Sequence, residues 1–85
     1  MGDVLVKKAT LADNRIQTLS VGFEGLPDRQ IDRGTALAWM RDGHSLVPVQ
    51  SGKRLPALLL VEGPEGLVIR KDSQAEDADS VPELG

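Results

Sequence analysis

The residue with the widest chemical repertoire in this 85-residue chain is its single histidine, His44, which follows the only tryptophan, Trp39, by five positions. Histidine acts as a general base and as a metal ligand near neutral pH. The adjacent hydroxyl of Ser45 would point to the opposite face of a strand, out of reach of that base. No second histidine and no cysteine is present to share a metal ion. We therefore expect no catalytic residue, no metal ligand and no enzymatic activity.

The stretch SGKR at residues 51–54 has the composition of the end of a phosphate-binding loop. The full motif requires a glycine where Val47 stands and a serine or threonine where Arg54 stands. It also requires a helix directly after the loop, whereas residues 55–60 are typical of a strand. The dinucleotide-binding pattern of three spaced glycines is absent as well. We expect no bound cofactor.

Trp39 and His44 lie around the predicted end of a helix that spans residues 33–42. Asp32 is a favourable N-cap, because its carboxylate accepts from the free N–H groups of the first turn. Gly43 suits the left-handed position just after a helix, where a Schellman motif brings the next residue against the last turn. Trp39 and His44 are therefore predicted to touch because the helix ends between them. The apolar positions of this helix predict that Leu37, Trp39 and Met40 are core residues.

Two strands are predicted before this helix. Residues 4–10 begin with β-branched side chains, and residues 16–23 alternate between apolar and polar types. Asp13 and Asn14 supply a turn between them, so the two segments form a hairpin. Residues 24–31 contain a glycine and a proline and are predicted to be a connection.

Three further strands are predicted after the helix. The first, residues 45–50, contains Pro48, which has no N–H group, so this strand is expected at an edge or with a bulge. A loop at residues 51–54 leads to the most apolar run of the chain, at residues 55–62. A tight turn at residues 63–66, with Gly66 in a left-handed conformation, leads to the last strand at residues 67–70.

These elements predict an α+β fold with a small, mostly antiparallel sheet. The predicted order is β-β-α-β-β-β, with the helix packed on one face of the sheet. Residues 1–71 form the single predicted domain. They carry 10 basic and 8 acidic side chains, whereas residues 72–85 carry five acidic side chains and no lysine or arginine. We call residues 72–85 the C-terminal segment and expect it to be a partly disordered, acidic tail, although Val81, Pro82 and Leu84 offer apolar groups for docking.

The apolar run near residue 60 is the strongest indication of a partner. Its side chains are apolar on both strand faces, and one helix covers only one face of a sheet. The far face would then be covered by the C-terminal segment, by sheet curvature or by a second copy of the chain. We expect a self-associating protein-binding module, most simply a homodimer. The predicted interface residues are Leu58, Leu60, Val47, Val49 and Trp39.

A nucleic-acid or nucleotide binder is the alternative function. Basic residues at strand ends would contact phosphates if they gathered on one face. The candidate polyanion contacts are Lys53, Arg54, Arg70 and Lys71, and the same patch would attract the acidic C-terminal segment. The scarcity of aromatic side chains argues against stacking on bases. A third possibility is a small regulator or inhibitor of a bacterial or phage protein, suggested by size and by the preference for arginine over lysine.

Three segments carry a resemblance to a family of small bacterial domains of unknown function: ALAWMRDGHSLVPV, GLVIRKD and DADSVPEL. That family is similar in having two strands, a helix ending in glycine, further strands and an aspartate-containing end. Its strand after the helix is aromatic, whereas this chain has Val47, Pro48 and Val49 there. The resemblance implies a fold but no activity and no site residues.

The location expected from the sequence is the cytoplasm. No apolar run is long enough to span a membrane, and the N-terminal residues lack the pattern of a secretion signal. The absence of cysteine agrees with a reducing compartment.

Replacing Trp39 with alanine is expected to lower the free energy of unfolding by about 3–5 kcal/mol, because the substitution empties an apolar site beside the helix. Urea denaturation followed by far-ultraviolet circular dichroism measures the change. Red-shifted tryptophan emission from the dilute wild-type protein would instead indicate a solvent-exposed interface anchor.

Overall fold

A computed structural model describes residues 2–23 and 25–84 of the chain. Met1, Glu24 and Gly85, which the predictions for the domain, the connection and the C-terminal segment include, lie outside these residues. The elements are β1 (Asp3–Ala12), β2 (Arg15–Gly22), β3 (Arg29–Asp32), α1 (Arg33–Arg41), β4 (Ser45–Gln50), β5 (Lys53–Arg54), β6 (Leu59–Gly63) and β7 (Gly66–Arg70). The predicted α+β class, with a mostly antiparallel sheet and a single helix, is confirmed.

The strands form two sheets. The larger sheet has the order β3-β2-β1-β4-β5, and the smaller consists of β6 and β7. Every neighbouring pair is antiparallel except β1 and β4, which run parallel because α1 carries the chain across the sheet between β3 and β4. Residues from both sheets and from α1 build one apolar core: Val4, Val6, Ile16, Leu19, Val21, Ile31, Ala36, Leu46, Leu58 and Ile69.

The β1–β2 hairpin is turned by the two residues that the sequence indicates. Asp13 and Asn14 have φ values of 52° and 62°, and they connect Ala12 to Arg15 as a two-residue loop. Two successive left-handed residues match the twist of a hairpin, and aspartate and asparagine tolerate that conformation better than most residues. On β2, Leu19 and Val21 are buried, as the alternation predicts.

Strand β3 was not expected, since residues 24–31 were predicted to be a connection. Its four residues pair with Thr18–Val21 of β2, and only Ile31 is buried. One buried residue gives no alternation that a sequence pattern would reveal. The ladder with β2 is what makes this segment a strand.

Helix α1 is capped as the sequence predicts. The Asp32 carboxylate accepts from the N–H of Thr35 at 2.8 Å. At the other end, the N–H groups of Gly43 and His44 donate to the carbonyls of Met40 and Trp39 at 3.1 and 3.0 Å, which is a Schellman motif. Gly43 has a φ of 93°, and the Trp39 and His44 rings meet edge to face with centroids 6.3 Å apart.

The helix enters the core less deeply than expected. Ala36 is its fully buried residue, whereas Leu37, Trp39 and Met40 are partly buried at the margin of the core. The prediction that all three are core residues is corrected accordingly. The Phe23 ring meets the Trp39 ring edge to face at 5.8 Å.

Residues 51–54, predicted to be a loop, form a tight turn and a short strand. Ser51 and Gly52 have φ values of 49° and 78°, and β5 pairs with the end of β4 directly after them. Strand β4 therefore has neighbours on both sides, with β5 pairing only at its end. Beyond β5, the N–H of Leu55 donates to the carbonyl of Pro48 at 2.8 Å, and Pro48 has no N–H to donate in return.

The β6–β7 hairpin is shorter than the predicted pair of strands. Strand β6 begins at Leu59 instead of residue 55, and Gly66 has a φ of 120° after the turn. On the core side, Ile69 is fully buried and Leu60 packs against the same cluster. The opposite face contains Leu59, Val61, Val68 and Arg70, because side chains alternate along each strand.

The prediction of a partly disordered tail is not confirmed, since residues 72–84 lie along the domain and are fastened to it by Asp79. The Asp79 side chain has no exposed surface. Its carboxylate accepts from the N–H of Ile16 at 2.9 Å, from the N–H of Ile69 at 3.0 Å and from the Arg33 guanidinium at 2.6 and 3.0 Å. One side chain thus joins β2, β7 and the start of α1. Val81 and Leu84 pack against the core beyond it.

The C-terminal segment also covers part of the far face of the smaller sheet. Arg70 is 5% exposed, and its guanidinium donates to Asp72, Glu76 and the carbonyl of Ala78. Val68 on the same face is only 2% exposed. A Cβ on Gly63 would lie 2.8 Å from the carbonyl oxygen of Glu76, so the segment passes directly over that glycine. The sequence left three possible covers for this face: the C-terminal segment, sheet curvature and a second copy of the chain. The C-terminal segment is the one that covers part of it here.

Burial is the largest influence on the pKa of Asp79 and raises it, because a buried carboxylate loses hydration. The hydrogen bond from Arg33 and those from the N–H groups of Ile16 and Ile69 act in the opposite direction. Together they outweigh burial and hold the pKa of Asp79 below its ordinary value. Because the folded pKa lies below the unfolded pKa, the ionised carboxylate stabilises the fold at neutral pH. That contribution is lost as pH falls through the folded pKa.

Asp79→Ala is expected to lower the free energy of unfolding by about 3–5 kcal/mol, since it leaves Arg33 and two buried N–H groups without their acceptor. Asp79→Asn, which keeps the shape and one acceptor, should cost less. The difference between wild type and Asp79→Asn should shrink as pH falls from the ordinary aspartate pKa of about 3.9 toward the lower pKa of folded Asp79, because the unfolded carboxyl takes up a proton before the folded one does. Urea denaturation at several pH values measures both effects; a difference independent of pH would contradict the assignment.

Candidate interaction surface

The structure divides the predicted interface residues between the core and its margin. Leu58 and Val47 are buried by the chain itself, at 5% and 8% exposure. Leu60 and Trp39 are partly buried and pack against the core, and Val49 is partly buried on β4. Leu58 and Leu60 therefore face inward, which corrects their proposed role as surface contacts. The exposed leucine of this run is Leu59, at 42%.

The four candidate polyanion contacts do not share one role. Arg70 is buried and occupied by the C-terminal segment, so the expected attraction between that segment and a basic group is present at Arg70. Arg54 pairs with Asp3 at 3.0 Å on an exposed part of the larger sheet. Lys53 and Lys71 are exposed. Arg70 is thus unavailable as a surface contact, because its guanidinium already holds Asp72 and Glu76.

The backbone of β6 has a free edge. Strand β7 lies on one side of β6, and among residues 2–23 and 25–84 no backbone group pairs with the other side. The outer edge of β7, in contrast, is covered by the C-terminal segment. There the N–H of Ser80 donates to the carbonyl of Ile69 at 2.9 Å, and Asp79 accepts from the N–H of Ile69.

Strand alternation identifies which groups β6 presents at this edge. Ile69 directs both of its backbone groups away from β6, toward Asp79 and Ser80. Opposite residues in an antiparallel pair both direct these groups inward or both outward. Leu60, which lies opposite Ile69, therefore directs its N–H and C=O to the free edge, and Glu62 does the same two residues later. The edge offers two donors and two acceptors.

An apolar strip lies beside this edge. Leu59 and Val61 share the face of β6 that Val68 and Arg70 occupy on β7. The C-terminal segment buries the β7 half of that face, whereas Leu59 remains 42% exposed and Val61 is partly buried. The free backbone groups and the uncovered apolar side chains are therefore adjacent.

Strand β3 shows what a protected edge looks like in the same molecule. Its four residues, Arg29–Asp32, are exposed and polar except Ile31. Short, charged edge strands discourage pairing with another chain. Strand β6 has no lysine, arginine or proline, and Glu62 is its one charged residue. Of these two sheet edges, β6 is the one that lacks basic and proline residues.

Two other concave regions are less distinctive. A cleft of about 240 Å³ is lined by Val4, Phe23, Trp39 and His44, so the histidine faces aromatic and aliphatic groups. A shallow groove of about 360 Å³ lies on the larger sheet, where the Thr18 hydroxyl on β2 hydrogen-bonds to the Thr10 hydroxyl on β1 and accepts from the Gln30 amide on β3. Within the described ranges, no three histidine, cysteine or carboxylate side chains cluster to hold a metal ion.

No helix in the described part of the chain has the length and apolar character needed to cross a membrane.

Sequence reasoning placed the apolar run correctly but assigned the wrong leucines to the surface. The alternation of this strand was hidden because Leu58, Leu59 and Leu60 are identical. The pairing of Leu60 with the buried Ile69 decides which face each leucine occupies. The neighbouring Glu62, exposed at the free edge, was the one polar signal in the run.

Comparisons with models of protein families, with curated proteins and with solved structures found no match to this chain. The resemblance to a family of small bacterial domains therefore gains no support.

Deleting residues 72–85 is expected to destabilise the domain, because the deletion removes Asp79 and uncovers Val68 and Arg70. A thermal melt measures this loss against Glu83→Ala, a control substitution at an exposed residue of the same segment.

The same deletion also tests the alternative function. Polyanion binding by a deletion variant that remains folded at low temperature would support phosphate contacts at Arg70, whereas unchanged binding of a labelled oligonucleotide at low salt would remove the idea.

Proposed function

We propose that this protein is a small, non-enzymatic protein-binding module that self-associates by adding a strand at the free edge of β6. The observation that carries the proposal is the unpaired row of Leu60 and Glu62 backbone groups beside exposed Leu59. Strand addition satisfies such groups with main-chain hydrogen bonds, while adjacent side chains supply apolar contact. A regulator or inhibitor of another protein would use the same edge to bind an extended segment of its target.

The expected affinity is modest. Each main-chain hydrogen bond between the two chains is expected to contribute about 0.5–1.5 kcal/mol net, because the edge groups are hydrogen-bonded to water before they pair. Burying exposed Leu59 adds apolar surface at roughly 25 cal/mol per Å². Association also costs translational and rotational freedom. A weak, reversible complex in roughly the micromolar range fits an interface at the small end of protein–protein contacts.

Glu62→Pro is expected to abolish self-association while leaving the domain folded. Proline removes the N–H that Glu62 directs to the free edge, and the ladder between β6 and β7 does not use that group. Glu62→Ala is the matched control, because it removes the same charge and keeps the N–H. Sedimentation equilibrium over a wide concentration range should show wild type and Glu62→Ala moving from 9.1 kDa toward twice that mass. Glu62→Pro should remain at 9.1 kDa.

A wild-type protein that stays monomeric at all concentrations would contradict the proposal. Equal association of Glu62→Pro and Glu62→Ala would contradict the role of the β6 edge. Circular dichroism of each variant establishes that the fold is retained.

A further inference from the structure

The geometry of the β6 edge points to one arrangement of two chains. We infer that a second copy binds antiparallel to β6 with Val61 opposite Val61 of the other copy, so that the two small sheets join into one four-stranded sheet. This inference rests on the proposed function and specifies its partner and register. The strand order across the pair is β7-β6-β6-β7.

The hydrogen-bonding pattern selects this register. When the two-fold axis passes beside Val61, Leu60 of each copy lies opposite Glu62 of the other. Both residues direct their N–H and C=O groups to the edge, so each such pair exchanges two hydrogen bonds. The two-fold axis repeats the pair, and all the outward groups of both edges are satisfied by four hydrogen bonds.

The neighbouring registers satisfy fewer groups. Centring on Leu60 places Glu62 opposite Leu58, whose N–H is already donated to the carbonyl of Leu46 at 2.8 Å. Centring on Glu62 places two like charges directly opposite each other, which is destabilising. A shift of one residue brings Val61, whose backbone groups pair with Val68, against an outward-directed residue. Only the Val61-centred register avoids all three faults.

The side chains agree with the same register. The two Val61 side chains meet in a non-hydrogen-bonded pair, where opposite Cβ atoms lie about 4.5–5.5 Å apart. Leu59 lies opposite Gly63 of the other copy, where the Glu76 backbone of that copy already fills the space above the glycine, so Leu59 packs against that backbone. The carbonyl oxygen of Glu76 lies 2.8 Å from the position that a Cβ on Gly63 would occupy. The exposed leucine of each copy is therefore received beside the C-terminal segment of the other.

Disulfide trapping tests the register cleanly, because the native chain contains no cysteine. Val61→Cys places two thiols across the two-fold axis within the Cα separation of about 4.4–6.8 Å that a disulfide requires. Leu59→Cys is the matched control on the same face. Its two copies lie four residues apart along the strands, about 13 Å by strand rise. Because Leu59 is exposed, random collisions would trap Leu59→Cys at least as readily as Val61→Cys.

Val61→Cys is expected to form disulfide-linked dimers about tenfold faster than Leu59→Cys at micromolar concentration, since pairing raises the local thiol concentration to the millimolar range. Adding Glu62→Pro to Val61→Cys should remove that advantage. Equal trapping of the two cysteine variants, with wild type still dimeric in sedimentation, would overturn the register and leave the proposed function standing. A monomeric wild type would overturn both.

Amide hydrogen exchange on the unmodified protein provides a second measurement. The amides of Leu60 and Glu62 should exchange more slowly as protein concentration rises, whereas the amide of Gln30 on the edge strand β3 should not change. Concentration-independent exchange at Leu60 and Glu62 would overturn the inference even if a cysteine variant failed to fold.

Discussion

The fold depends on the buried carboxylate of Asp79. Its two oxygens accept hydrogen bonds from Ile16 near the start of β2, from Ile69 near the end of β7 and from Arg33, the first residue of α1. The two sheets belong to separate hydrogen-bonded ladders, so this side chain fastens one to the other with directed polar contacts. A buried charge is tolerated here because Arg33 pairs with it and both N–H groups donate to it. Burial of apolar side chains stabilises the packing of the two sheets, and the hydrogen bonds of Asp79 fix the position of one sheet relative to the other.

The same contact explains why the two edges of the smaller sheet differ. Asp79 and Ser80 lie along β7 and satisfy the backbone groups of Ile69, so β7 has a neighbour on both sides. Before it reaches Asp79, the segment crosses the face of the hairpin at Arg70 and Gly63, which helps to bury Val68. On strand β6 the segment covers Gly63, the last residue, whereas Leu59 and Glu62 remain exposed. The proposed interaction surface is thus the part of the hairpin that the C-terminal segment does not cover.

The charged residues are used mainly to hold the chain together. Arg15 pairs with Asp77, Arg33 with Asp79, and Arg70 with Asp72 and Glu76, so three basic residues of the body bind the acidic segment. The strong separation of charge along the sequence therefore has an internal explanation. A surface free of concentrated charge at the β6 edge favours apolar and main-chain contacts over the recognition of phosphates.

The sequence by itself determined the local features, because each depends on residues a few positions apart. The Asp13–Asn14 turn, the Asp32 cap, the Gly43 helix end with its Trp39–His44 contact, and the left-handed Gly66 all follow from conformational preferences of single residues. The tertiary structure alone decided the rest. Strand β3 forms because β2 pairs with it. The C-terminal segment is held in place because Asp79 binds Ile16 and Arg33, which lie 63 and 46 positions earlier in the chain. The face of each leucine near residue 60 is fixed by pairing with β7, since three identical side chains carry no alternation.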